Sequence, residues 1–249
     1  RHGWKWLVYS SENKTASLKM RLMEFACDRK IGSMNTAQRT KCWDWVNKHF
    51  IVISNKDAYT YSEIIVMMEK SMRQYKIDAC FIDPYNSLRL DMRGSNLNSH
   101  EYHYEAATEF LQFSTNNNMA VWLNMHAVTE AQRRKGDDGL PVAPFAEDTE
   151  GGAKFVNRAD CFLTIHRKVQ SQDYNVKRMS ELHVRKVREV ETGGLPTGYD
   201  NPYILTMNSS MTGFHGWLSK KSLFQPVDIQ EHTTSELNYS LKPNKEFLQ

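Results

Sequence analysis

The sequence predicts an α/β fold: a mostly parallel sheet with helices on both faces, finished by antiparallel strands at its C-terminal end. Three observations lead there. The apolar runs at 7–9 and 79–82 are continuous rather than alternating, as strands buried on both faces are. Segments with apolar residues at helical spacing follow the first strands, the alternation that builds parallel sheets. Past residue 160 the apolar runs crowd together with turns between them, the pattern of hairpins.

Element by element, residues 6–10 (Trp-Leu-Val-Tyr-Ser) form a first strand. Residues 15–30 form a helix with Leu18, Leu22, Phe25 and Cys27 near one face. Residues 50–54 make a second strand, and the helix after it opens at Ser62 as N-cap and carries Ile65, Met68 and Met72. A third strand at 79–82 ends at Asp83. A polar loop over 89–98 then leads to a helix over 99–114 and a fourth strand at 119–123. Beyond Arg133, the residues Gly136, Gly139, Pro141 and Pro144 mark a long irregular loop, a feature that compact domains keep chiefly for binding. Residues 161–165, 181–187 and 203–206 are the closely spaced strands. From 219 onward the apolar pattern thins, so residues 1–218 are expected to be one domain and 219–249 a tail or docking arm.

Lys+Arg 32 against Asp+Glu 29 leaves a net charge of +3, too small by itself to imply a nucleic-acid partner. No apolar run approaches the roughly 18 residues of a membrane span, so no membrane partner is expected. Residues 1–6 lack the apolar stretch of a signal peptide. Cys27, Cys42, Cys80 and Cys161 are widely spaced among apolar neighbours and are expected to be reduced core residues.

In an open α/β sheet, ligands collect outside the carboxyl ends of the strands, which selects Glu12, Asn55, Asp83, His126 and Arg167. One carboxylate there can hold a hydrated Mg²⁺ while a second orients or deprotonates a water, the division of labour that phosphoryl transfer needs. Taken singly, Glu12 and Asp83 also suit the capping of a following helix. His100 and His103 have helical spacing, but no third ligand accompanies them, so a metal site is not expected.

These residues carry a family resemblance over about residues 4–216. The sequence resembles the RecA-like motor domain, a P-loop NTPase fold, of DnaB-like replicative hexameric helicases. Within that group it looks most like the phage primase-helicase and Twinkle branch. Val8-Tyr9-Ser10-Ser11-Glu12-Asn13 is similar to the strand end carrying the family's catalytic glutamate, and Phe81-Ile82-Asp83 to its Walker B strand, although Pro84-Tyr85 departs from the usual continuation. Trp122-Leu123-Asn124-Met125-His126 is similar to the strand ending in a γ-phosphate sensor. Residues 150–160, with Gly151, Gly152, Lys154 and Asn157, resemble the DNA-binding loop and the helix behind it. Residues 182–188 resemble the strand whose Lys186 and Arg188 point into the neighbouring subunit's site, Arg188 as arginine finger.

The resemblance implies ATP and Mg²⁺ as cofactors, Asp83 as metal ligand, Arg167 beside the nucleotide, and single-stranded DNA on Arg133, Arg134 and Lys135 as well as on the glycine loop. It further implies a homo-oligomer, a hexameric ring, with a primase domain or partner, in the cytoplasm of a bacterial or phage-infected cell rather than a mitochondrion. Plainer readings stay open: a simple turn at Gly151-Gly152, a solvated loop at 133–135, and an edge strand charged against pairing at 186–188. Two other functions also remain: an inactive RecA-like nucleic-acid-binding or assembly module, and a recombinase-type ATPase. No Gly-x-x-x-x-Gly-Lys-[Ser/Thr] sequence occurs in the chain, so the phosphate-binding loop is expected in a segment upstream of Arg1.

Overall fold

The computed structural model describes residues 3–90, 98–219, 221–223 and 226–228. Strand β1 (Trp6–Ser10) is followed by two helices, α1 (Thr15–Cys27) and α2 (Thr36–His49). Then come β2 (Phe50–Val52), α3 (Tyr61–Tyr75), β3 (Ala79–Asp83), α4 (Ser99–Asn117) and β4 (Ala120–Leu123). These four strands form one parallel sheet in the order β2-β1-β3-β4. The register sets Ser10 opposite Asp83 and Ile82 opposite Leu123, which brings the carboxyl ends of β1, β3 and β4 to one edge of the domain.

Short helices α5 (Thr129–Arg133) and α6 (Ala153–Arg158) flank the irregular loop, and β5 (Cys161–His166) follows. After α7 (Tyr174–Arg178) come β6 (Met179–Val187), α8 (Val190–Gly193), β7 (Tyr203–Met207) and β8 (Phe214–Gly216). Strands β5 to β8 make a second, antiparallel sheet in chain order. The expected α/β class is therefore present, but the antiparallel strands form a sheet of their own instead of extending the first. Edge strands β4 and β5 are not paired with each other.

The main core packs β1 and β3 between α3 and α4. Leu7, Ile64, Met68, Cys80 and Ile82 are almost wholly buried, together with Tyr102, Ala106, Phe110 and Phe113 on one face of α4. Burying each large apolar side chain stabilises the fold by roughly 1.5–3 kcal/mol. Capping boxes start three helices: Asn35 with Gln38, Thr60 with Glu63, and Asn98 with Glu101. Thr60 thus displaces the expected Ser62 as N-cap, because it stands three residues before an acid that reaches back to its own N–H.

Residues 15–30 are not one helix. Asp28 adopts the left-handed conformation, φ 46°, and ends α1, while α2 fills a segment with little apolar periodicity. A second cluster of Met23, Met34, Cys42 and Val46 lies between these helices. The cysteine expectation is corrected there: Cys27 and Cys42 form a disulfide with Cα atoms 6.7 Å apart, because the turn between the antiparallel helices sets them face to face. Cys161 is exposed, so only Cys80 is the expected free core thiol, and burial pushes its pKa up to about 12.

Asp28 also accepts hydrogen bonds from Asn208 and Thr212, each 2.7 Å, which ties the second sheet to the end of α1. In the expected tail, Val227 donates its N–H to the Ala26 carbonyl at 2.7 Å and packs on the second cluster. The expected polar loop is described only outside 91–97, and the tail lies outside the described residues from 229 onward.

Candidate active site

Because parallel strands end together, the side chains just past β1, β3 and β4 converge. Asp83 closes β3, and its carboxylate accepts from the Ser10 hydroxyl at 3.2 Å, from the Asn13 amide at 3.5 Å and from the Asn124 amide. Asn124 also joins the two strand ends through its backbone: it donates to the Ile82 carbonyl at 2.8 Å and accepts from the Tyr85 N–H at 2.8 Å. Asn55, after β2, donates its amide to the carbonyls of Ser10 and Asn13 at 3.1 and 3.0 Å and so fixes the turn that carries Glu12.

Glu12 and His126 face each other across this edge, with Oε1 and Nε2 3.7 Å apart. Both are about half exposed (54% and 52%), so neither is consumed by the core, and both are open to a ligand. An exposed acid and an exposed imidazole beside a held carboxylate constitute a place where a water can be oriented next to a polyanion. A single carboxylate with hydroxyl and amide neighbours also suits a hydrated Mg²⁺, which usually takes one or two protein carboxylates along with phosphate oxygens. Among the described residues no group of three or more His, Cys, Asp or Glu side chains could hold a metal by itself.

The remaining expected residues gather elsewhere. Gly151 and Gly152 lie in positive-φ conformations, 77° and 51°, and Gly152 caps α6. A Cβ at Gly151 would stand 2.9 Å from the Phe155 ring and 3.1 Å from the His103 Cβ, so the loop packs on those two residues and tolerates no side chain. Lys154 is half-buried at the start of α6 and Asn157 is exposed near its end.

Lys186 and Arg188 hold the other end of the same helix. The Lys186 ammonium donates to the carbonyls of Val156 and Asn157, and Arg188 to those of Asn157 and Arg158, with an ion pair to Asp160 at 2.7 Å. Cations there satisfy the unpaired carbonyls of a helix C-terminus. Burial, then the charge of Arg188, lowers the Lys186 pKa. Within one chain these partners lie at the end of α6 and do not include Glu12 or Asp83. Arg167, just past β5 of the antiparallel sheet, donates to the Lys177 carbonyl in α7 at 2.8 Å, so it does not follow a strand of the parallel sheet that carries Asp83. The three basic loop residues also separate: Arg134 pairs with Asp148 and lies 4.7 Å from the Phe145 ring centroid, whereas Arg133 and Lys135 are exposed.

Asn86 and Asn124 escaped the sequence reading as site residues. Asn124 stands inside the strand-end segment of His126, and Asn86 three residues past Asp83. Their only sequence signal is that nearness, since asparagines after strands also serve as ordinary turn residues.

The chain has a RecA-like fold. It superposes on a solved ATPase domain with a TM-score of 0.65 at 13% identity, covering 85% of this chain and 74% of that one. A DnaB-like replicative helicase, solved in a study of its interactions with primase, aligns with a TM-score of 0.64 at 12% identity over 84% of this chain and 50% of that chain. A KaiC-like protein from Pyrococcus horikoshii shares the fold more loosely, with a TM-score of 0.52.

In sequence the chain resembles the Twinkle homolog protein, chloroplastic/mitochondrial, of Arabidopsis thaliana, at 27% identity over 208 residues. That stretch is 79% of this chain and 28% of the plant protein, so the chain spans about a quarter of its relative's length. No protein-family model matches the chain. Among the described residues, no helix is long and apolar enough to cross a membrane.

Proposed function

We propose that this chain is the motor portion of an ATP-dependent replicative DNA helicase, coupling ATP hydrolysis to movement along single-stranded DNA and to unwinding of the duplex. The observation that carries the proposal is the convergence of Glu12, Asp83 and His126 on one sheet edge. Glu12 takes the proton of the attacking water, Asp83 holds hydrated Mg²⁺, and His126 contacts the γ-phosphate. Bound Mg²⁺ supplies charge neutralisation for the transferring phosphoryl group. Such a motor works with replicating DNA, which we place in the cytoplasm of a bacterial or phage-infected cell. The direct test is ATP hydrolysis by the full-length protein with and without single-stranded DNA: stimulation is the expected result, and turnover indifferent to DNA would overturn the reading.

Lys186 and Arg188 act, on this reading, across a subunit boundary in a hexameric ring. Their tie to the end of α6 rather than to the strand-end site of their own chain supports it. Mixing Arg188→Ala subunits with Glu12→Gln subunits should restore composite sites and part of the hydrolysis lost in each variant alone. Mixed rings that form yet stay inactive would contradict the trans role.

On this reading Arg133, Lys135 and Lys154 contact a DNA strand, while Arg134 holds the loop against Asp148 and Phe145. Neutralising those three should weaken single-strand binding and flatten its dependence on salt by up to about two units of logarithmic slope, at about 0.7 per phosphate contact on single strands. An unchanged slope, measured by titration at several salt concentrations, would return them to an ordinary solvated surface.

A further inference from the structure

Between the strand-end site and the glycine loop stands one side chain that touches both. Asn86 lies in the one-turn 3₁₀ helix Tyr85–Ser87 that follows Asp83. Its Oδ1 accepts the backbone N–H of His126 at 2.8 Å, and its Nδ2 donates to Glu150 Oε2 at 2.5 Å. Glu150 immediately precedes Gly151, and its other oxygen lies 3.9 Å from Nε2 of the buried His103. His103 is held in turn by the Tyr85 hydroxyl, 2.9 Å from its Nδ1, and Gly151 packs directly on it. The loop therefore starts from a fixed base, and Asn86 is the side chain that links that base to the His126 backbone, beside a backbone bridge in which Ala127 pairs with Thr149 and the Val128 N–H donates to the Asp148 carbonyl at 2.7 Å.

A carboxamide suits this place because it offers an acceptor and a donor on one rigid plane. Hydrogen bonds weaken steeply with distance and angle, so a shift of the His126 backbone that keeps the first bond has to turn the amide and strain the second. Aspartate would keep the acceptor toward His126 but set a like charge against Glu150. Glutamine at 150 would replace that charge with a donor.

We propose that Asn86 is a positioning residue that couples His126 to the Gly151–Gly152 loop through Glu150, so that the state of the nucleotide site sets the placement of the loop. The inference rests on His126 contacting the nucleotide.

The test is a side-chain swap in the full-length protein: Asn86→Asp, Glu150→Gln and the double variant, read as the ratio of DNA-stimulated to basal ATP hydrolysis. Asn86→Asp should lower that ratio by about fivefold or more, the lower range of measured site-to-site couplings. The double variant, with the donor and acceptor of the second bond exchanged, should recover most of the loss. A merely structural asparagine would lower the basal and the stimulated rates together and leave their ratio unchanged. Full stimulation in Asn86→Asp, or a loss that the double variant does not recover, would overturn the coupling.

Should the variants fail to fold, amide hydrogen exchange of the unmodified protein with and without a non-hydrolysable ATP analogue decides. Protection at His126 and at Gly151–Gly152 should change together, and a change at His126 alone would refute the link. Failure of the functional reading is distinguishable, since unmodified protein would then bind no nucleotide or hydrolyse ATP without regard to DNA.

Discussion

Replacing Glu12 with glutamine in the full-length protein is expected to leave nucleotide binding intact and to cut ATP hydrolysis by roughly 10²-fold or more, the effect of losing a general base. The expectation follows from where the carboxylate sits. Asn55 pins the turn that carries it, Ser10 and Asn124 orient the neighbouring Asp83, and Glu12 faces the His126 ring at 3.7 Å. Glutamine keeps the shape of the side chain and its capacity to hydrogen-bond but cannot accept a proton from water at neutral pH. Binding and turnover therefore separate, which distinguishes a lost base from a damaged site. Measured by steady-state hydrolysis beside nucleotide binding, undiminished turnover would remove Glu12 from the mechanism.

A second large effect is expected from the phosphate-binding loop. Residues 1–249 contain no sequence of that kind, so on the proposed function the groups at the strand ends would offer a base, a metal ligand and a sensor with little ground-state grip on the phosphates. Backbone amides and a lysine cradling the β- and γ-phosphates contribute several charge-assisted hydrogen bonds of about 1.5–3 kcal/mol each, on the order of 10³-fold or more in Kd.

Each of the two sheets leaves an edge unpaired among the described residues. β4 and β5 are both edge strands, and Trp122, Leu163 and Ile165 on them are exposed, Ile165 by 73%. Residues 1–249 alone should then bind ATP negligibly and tend to associate through the open edges, whereas the same residues extended through the loop should bind it and hydrolyse it in response to DNA. Tight Mg²⁺-dependent ATP binding by the short chain would demand a different phosphate site. An extended protein without the loop would favour an inactive RecA-like module.

The parts of this protein that the sequence determined by itself are those written in local chemistry. Strands β1 and β3 are buried on both faces, so they stand out as unbroken apolar runs, and the residues that end them, Asp83 above all, occupy the carboxyl edge of any parallel sheet. Helix α2 was not legible, because among its fourteen residues only Cys42 and Val46 are buried and no apolar stripe marks it. The Cys27–Cys42 disulfide depends on that helix folding back on α1, a pairing that spacing does not encode.

Tertiary structure alone decided which polar side chains act together. Asn86, Asn124, Glu150 and His103 each pass locally for a turn, a loop or a helix residue. They become partners through the parallel register of β3 with β4 and the packing of the glycine loop on α4. It also tied Lys186 and Arg188 to the end of α6 and separated Arg134 from its two basic neighbours. The physical reason is range. Apolar periodicity and strand-end chemistry act between residues a few positions apart, whereas a hydrogen bond between residues 40 or 64 positions apart exists only once the sheet has brought them together.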